Sequence, residues 1–375
     1  MNVNVNPLKQ LKTFGQSLWL DYIRRDLITS GKLRRLIEED GLRGMTSNPT
    51  IFEKVIAYEH DYDEDIKNMI LKKKDAKTIY EAISQHDVKG AADEFRSLYD
   101  TTDGEDGYVS LEVNPHLAYE TEKTIDEARR LWTSLNRPNV FIKVPATVSG
   151  LAAIRKLISE GININITLLF GLPRYQQVIE AYIAGMEERL LQGKPLKHVA
   201  SVASFFISRI DGLVDPLLEK LIAEGNEKAR LSKMILGQVA ISNAKVAYQI
   251  FKETFDTKRF KKLAKEGARV QRLLWASTGT KNPNYSDTKY VDALIGKDTV
   301  NTVPLKTLDA YRDQGRPTAS LEQNIEKARQ ILEQLSELGI DMEKIAQQLE
   351  KEGIENFNKP FDNLMNVLQQ RILQL

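Results

Sequence analysis

The chain has 375 residues, 53 Lys and Arg against 52 Asp and Glu, a formal charge of +1, and no cysteine. Hydrophobic residues make up 42% and charged residues 28%, which is an ordinary globular balance with material for a large core. These values exclude disulfides, thiolate metal sites and cysteine nucleophiles, and the lack of a basic excess argues against a nucleic-acid partner.

Length by itself suggests two or three domains, although α/β barrels exceed that rule as single domains. No apolar run approaches the roughly 20 residues of a membrane helix, so no membrane partner is expected. Residues 1–15 carry no apolar secretory core, and the expected location is the cytoplasm. Asn165-Ile166-Thr167 and Asn284-Tyr285-Ser286 fit the glycosylation spacing, but without a secretory signal they read as chance matches.

In chain order, eight short segments rich in Val, Ile, Phe and Tyr read as strands. They are Ser17–Tyr22, Arg43–Asn48, Tyr108–Val113, Val140–Val144, Ile162–Phe170, Val199–Ile207, Arg269–Ser277 and Thr299–Val303. Helical periodicity runs between them. Ile125, Ala128, Leu131, Trp132 and Leu135 form one stripe in Leu117–Leu135, and Tyr175–Leu191 behaves likewise. Ile325, Ala328, Ile331, Leu332 and Leu335 form another in Leu321–Leu338. Strand then helix, repeated eight times, predicts an α/β fold closed as a (β/α)8 TIM barrel; the alternative is an open sheet with an extra helical part. The insert Asp211–Gly267 exceeds one crossover and should hold extra helices. Residues 1–318 are expected to form the catalytic barrel, and residues 319–375 helices packed on its exterior within the same structural domain.

Strand parity sorts the side chains. Ser17, Trp19 and Asp21 share one face of their strand, as do Thr46 and Asn48, Ser110, Glu112 and Asn114, Phe141 and Lys143, and Asn163, Asn165 and Thr167. Their neighbours of opposite parity, such as Leu18, Leu20, Val109, Leu111, Ile142 and Ile164, are apolar. A lone buried Asn or Thr reads as a structural hydrogen-bonding residue. Lys, Asp and Glu converging at strand ends point to chemistry, because unpaired charges are costly to bury and this fold gathers function at C-terminal strand ends.

Lys143 lies between apolar strand residues. A desolvated lysine is pushed toward the neutral amine, a nucleophile for carbonyls. The residues leave two readings open: that nucleophile, or a structural ion pair with Glu112 or Asp21. Lys306 is a weaker rival, expected to open the next helix in solvent. His60, His86, His116 and His198 show no metal spacing, with His116 expected at the barrel mouth or a helix start. Dinucleotide, P-loop and GxSxG signatures are absent from the sequence.

Four segments in order carry a family resemblance: Thr46-Ser47-Asn48-Pro49-Thr50-Ile51-Phe52, Val109-Ser110-Leu111-Glu112-Val113, Ile142-Lys143-Val144-Pro145-Ala146-Thr147, and Ile162 to Phe170. With these the chain, from about Leu11 to Tyr311, resembles the transaldolases, Schiff-base enzymes of the non-oxidative pentose phosphate pathway, and is similar to their longer bacterial form. The resemblance implies Lys143 as the Schiff-base lysine, Asp21 as the acid/base carboxylate, and Glu112 with Thr167 as the pair holding a catalytic water. It implies Asn48, Asn165 and Ser204 as substrate-binding residues, and Arg209 and Ser277 as phosphate-binding ones. The family's second phosphate arginine has no evident counterpart. Lys281, in Ser277-Thr278-Gly279-Thr280-Lys281, is expected to supply that charge as a point charge rather than a fork. By the same resemblance the substrates are sugar phosphates, no metal or organic cofactor is needed, and the chain acts as a monomer or homodimer. The alternatives are a fructose-6-phosphate aldolase-like activity and a non-catalytic sugar-phosphate-binding barrel.

Overall fold

The computed structural model describes residues 6–374; the start of the N-terminal stretch read above for a secretory signal lies outside them. All eight expected strands form, as β1 (Gln16–Asp21), β2 (Gly44–Thr46), β3 (Tyr108–Glu112), β4 (Val140–Pro145), β5 (Ile164–Leu169), β6 (Ser201–Phe206), β7 (Arg272–Ala276) and β8 (Thr299–Val303). They pair in parallel in sequence order and close between β8 and β1, giving the (β/α)8 barrel. Several strands stop short of their apolar runs because side chains take over the ladder. Asn163 donates to Pro138 O at 2.9 Å and accepts from Ala200 N at 2.9 Å, so β5 and β6 begin after it. Asn48 leaves β2 to cap the next helix, accepting from Ile51 N at 3.0 Å with Pro49 at the first helical position.

The stripes read from periodicity are the buried ones. In helix Thr121–Leu135 they are Ile125, Ala128, Leu131 and Leu135, and in helix Ile325–Glu337 they are Ala328, Ile331 and Leu335. The long insert supplies helices Ser208–Ala223, Glu227–Ile235, Val239–Phe255 and Lys258–Lys265. A second helical excursion, between β2 and β3, contains Pro49–Tyr58, Asp63–Leu71, Ala76–Glu94 and Arg96–Thr101.

The barrel interior is layered. At its N-terminal end, buried Asp106 receives Arg43 at 2.5 Å, Arg272 at 3.2 Å and Lys12 at 3.4 Å. Above that plug lies an aromatic floor. Tyr108 stacks on Phe141 at 4.3 Å between ring centroids, with Trp19 6.0 Å from Phe141, and Val202, Leu274 and Val300 fill the gaps. Gly44 makes room for the indole, since a Cβ there would stand 2.5 Å from Trp19 Cε2. Inward residues further along most of these strands, Asp21, Ser110, Glu112, Lys143, Ser204 and Thr302, are polar and form the upper layer. The polar layer thus faces the C-terminal mouth.

The C-terminal helix, Met342–Gln374, does more than pack outside the barrel. It lies against helix Pro49–Tyr58 and β5, His116 bonds its Asp362 at 2.7 Å, and its Phe357 enters the mouth. Among the described residues no helix is long and apolar enough to cross a membrane.

Candidate active site

A cavity of about 280 Å³ opens at the C-terminal mouth. Asp21, Asn48, Lys143, Thr167, Ser204, Arg209, Ser277 and Lys281 line it, eight of the ten residues singled out from the sequence. Seven come from a strand or the turn after it and Arg209 from the first turn of helix Ser208–Ala223, so closing the barrel brings them together. The other two lie just behind the wall. Glu112 stands beside Lys143, their positions being paired in register between β3 and β4. Asn165 is wholly buried beneath Ser204, accepting from Ser204 Oγ at 2.6 Å and donating to Ser110 Oγ at 3.1 Å.

Lys143 is only 5% exposed. Its Nζ donates to Ser47 O at 3.0 Å and lies 3.2 Å from Glu112 Oε2. The Phe357 ring centroid is 5.9 Å away. Both readings of Lys143 therefore meet at one place: the amine is in an ion pair and also faces the cavity. The pair is poorly satisfied on the acid side, because neither Glu112 oxygen has a well-formed hydrogen bond. The Thr167 hydroxyl is likewise buried without a partner. Buried polar groups without a partner occur elsewhere in the chain, as at Tyr175 and Ser232, but those of Glu112 and Thr167 lie beside the amine and the cavity.

Asp21 accepts from Thr46 Oγ1 at 2.8 Å, and Thr46 in turn meets Thr302 Oγ1 at 2.8 Å. Burial pushes the Asp21 carboxyl above its ordinary range, against the opposing pull of Lys143, Thr46 and Lys281. Burial raises Glu112 too, again against Lys143, with Asp21 adding a like charge. Two carboxyls poised toward protonation beside an amine can exchange protons with it and with a bound hydroxyl.

The backbone is bent for this arrangement. Leu168, just after Thr167, has φ +57°, and the β5–β6 register shifts between Ile166 and Leu169. Ser277 at the end of β7 has φ +55° and a hydroxyl 3.0 Å from that of Ser208. Non-glycine residues in the left-handed region cost energy and cluster where a side chain must be re-aimed. The C-terminal helix helps hold the first of them, since Gly353 abuts Leu168 so closely that a Cβ would come within 2.9 Å of Cδ2.

Lys306 stands outside the group, on helix Leu305–Gln314, paired with Asp287 at 3.0 Å. A larger cleft, about 410 Å³, opens at the opposite end of the barrel. Its cations are spoken for, Arg269 by Asp103 and Arg272 by Asp106, so size does not make it the site. Sequence reasoning missed Lys54 and Phe357 in the wall of the mouth cavity. Helical spacing from Thr50 could have found Lys54. Nothing local distinguishes Phe357 from Phe361, Leu364 or Leu368 on the same apolar face.

Fold and cavity define a (β/α)8 barrel with a lysine-centred pocket at its C-terminal mouth. A model of the transaldolase/fructose-6-phosphate aldolase family matches residues 18–368, and the chain belongs to that family. It is 45% identical to a transaldolase of Trichodesmium erythraeum, over 99% of this chain and 98% of that one. It is 44% identical to transaldolase 2 of a Nostoc species over 98% of each, and 42% identical to a transaldolase of Saccharopolyspora erythraea over the full length of both.

Proposed function

We propose that the protein catalyses the transaldolase reaction, moving a dihydroxyacetone unit from sedoheptulose 7-phosphate or fructose 6-phosphate to glyceraldehyde 3-phosphate or erythrose 4-phosphate. The observation that carries the reading is Lys143: a buried amine facing a polar cavity, 3.2 Å from a carboxylate that leaves both its oxygens otherwise unbonded.

Glu112 takes a proton from Lys143, and the amine attacks the ketose carbonyl. A water held between Glu112 and Thr167 relays protons as the carbinolamine loses its hydroxyl as water, leaving an iminium ion. Asp21 removes the proton of the C4 hydroxyl, the C3–C4 bond breaks, and its electron pair flows into the iminium to give an enamine. The aldose phosphate departs. The enamine carbon then attacks the acceptor aldehyde, Asp21 returns its proton to the new hydroxyl, and water releases the product from Lys143. The raised affinity of Asp21 and Glu112 for protons supports both roles. Asn48 and Ser204 bind sugar hydroxyls, with Asn165 orienting the Ser204 hydroxyl from beneath, while Arg209, Ser277 and Lys281 take the phosphate. We further read the chain as cytoplasmic, acting as a monomer or homodimer.

Borohydride trapping with fructose 6-phosphate, followed by peptide mass mapping, tests this reading. The reduced adduct is expected on Lys143. An adduct on another lysine, or none, refutes it. Free dihydroxyacetone formed without acceptor at the rate of transfer would instead mark an aldolase.

A further inference from the structure

We infer that Lys54 is a third cationic ligand of the phosphate in the mouth cavity, beside Arg209, Lys281 and the neutral Ser277, closing on the substrate phosphate from the wall opposite Arg209 and Lys281. The inference rests on the sugar-phosphate reading of this pocket and adds to it a residue and a geometry.

Lys54 sits on helix Pro49–Tyr58, the helix that Asn48 caps as it leaves β2. Asn48, Thr50, Ile51 and Lys54 all line the cavity, and Thr50 and Lys54 are one helical turn apart, so this face of the helix looks into the mouth. Arg209 follows β6 and Lys281 follows β7. In a closed barrel ordered β1 to β8, β2 and β6 stand across from each other. Two cations therefore reach in from one wall and one from the other.

None of the three side chains has a hydrogen bond or ion pair to another described residue, and Arg209 differs in this from most arginines of the chain. They also act on one another. The Lys281 ammonium is pushed below its ordinary range first by desolvation, then by Arg209 and Lys54, with Asp21 pulling the other way. Like charges held together with only Asp21 among the described residues to offset them carry a repulsion that a dianion relieves on binding, and the relief adds to affinity. Arg209 and Lys281 alone would leave the phosphate open on the side facing helix Pro49–Tyr58. Lys54 covers that side.

The test is Lys54→Gln in the full chain, with Lys54→Arg as the conservative partner and Lys72→Gln as an exposed lysine elsewhere. Inorganic phosphate is titrated calorimetrically without any carbonyl substrate, and steady-state kinetics are run with fructose 6-phosphate as donor and erythrose 4-phosphate as acceptor. Lys54→Gln is expected to weaken phosphate binding and to raise KM by about tenfold, the loss of one charge-assisted contact. Borohydride trapping of unphosphorylated dihydroxyacetone should be unaffected. Lys54→Arg should restore binding, and Lys72→Gln should change nothing. Wild-type phosphate affinity in Lys54→Gln overturns the inference, as does an equal loss in Lys72→Gln. Failure of the adduct on Lys143 would refute the enzymatic reading instead, and the phosphate titration does not depend on it.

Discussion

Asp21→Asn should separate catalysis from stability in opposite directions. The amide nearly matches the carboxylate in shape and can still accept from Thr46 Oγ1, which now lies 2.8 Å from Asp21 Oδ1. It cannot take the C4 hydroxyl proton. Loss of a positioned general base typically costs 10²–10⁴-fold, or about 2.7–5.4 kcal/mol in the barrier at about 1.36 kcal/mol per decade. Stability runs the other way. Burial outweighs Lys143, Thr46 and Lys281, so the folded carboxyl binds protons more tightly than the unfolded one. Between the unfolded value of about 3.9 and the raised folded value, the native state holds the extra proton, and stability falls as pH rises. Above that window the charged carboxylate is a constant cost that the neutral amide would not carry. The variant should therefore match wild type in urea unfolding below about pH 4 and equal or exceed it at neutral pH. Fructose 6-phosphate should still be trapped on Lys143, now as a six-carbon adduct, because the block falls after iminium formation. A kcat within tenfold of wild type, or a variant less stable at neutral pH, would refute the reasoning.

Other parts of the molecule give distinct signatures. Asp106→Asn removes the carboxylate that receives Arg43, Arg272 and Lys12 beneath the aromatic floor; Lys12 keeps Glu105, but buried Arg272 and half-buried Arg43 lose their only carboxylate among the described residues. It should cost about 3–5 kcal/mol in urea unfolding with KM unchanged. Burial opposes ionisation there, but Arg272, Arg43 and Lys12 together hold the carboxyl well below the ordinary range. Its stabilisation is thus present above about pH 3.9 and fades as pH drops toward the folded value, so the gap between variant and wild type should narrow in acid. Phe357→Ala opens the wall beside Lys143, where the ring centroid lies 5.9 Å from Nζ. Water should then compete with the acceptor, and the ratio of free dihydroxyacetone to transferred product should rise. An unchanged ratio in a folded variant would show that the ring does not guard the intermediate.

The strands, their polar faces and the helical stripes were legible because each depends on spacing a few residues long. Lys143, Asp21 and Glu112 stood out for the same reason, as charges on otherwise apolar strands. Asn165 shows the limit of that reading: parity puts it inside the barrel, but only packing shows it beneath Ser204 rather than on the cavity wall. Phe357 was invisible because it belongs to a helix whose local pattern is ordinary, and Lys54 could be reached only through its helical spacing from Thr50. Lys54 matters through what faces it across the mouth, and Phe357 lies more than 200 residues from Lys143 in the chain.

Sequence by itself thus determined the eightfold strand–helix rhythm, the polar inner faces and the kind of chemistry the strand ends could support. Tertiary structure decided which polar atoms are satisfied and which are not. It set Glu112 against Lys143 with no other partner among the described residues, left the Thr167 hydroxyl without one, drew three unpaired cations to one opening, and laid the C-terminal helix over the site. The physical reason is that charge pairing, desolvation and enclosure depend on distances between residues far apart in the chain, and closing the barrel is what sets those distances.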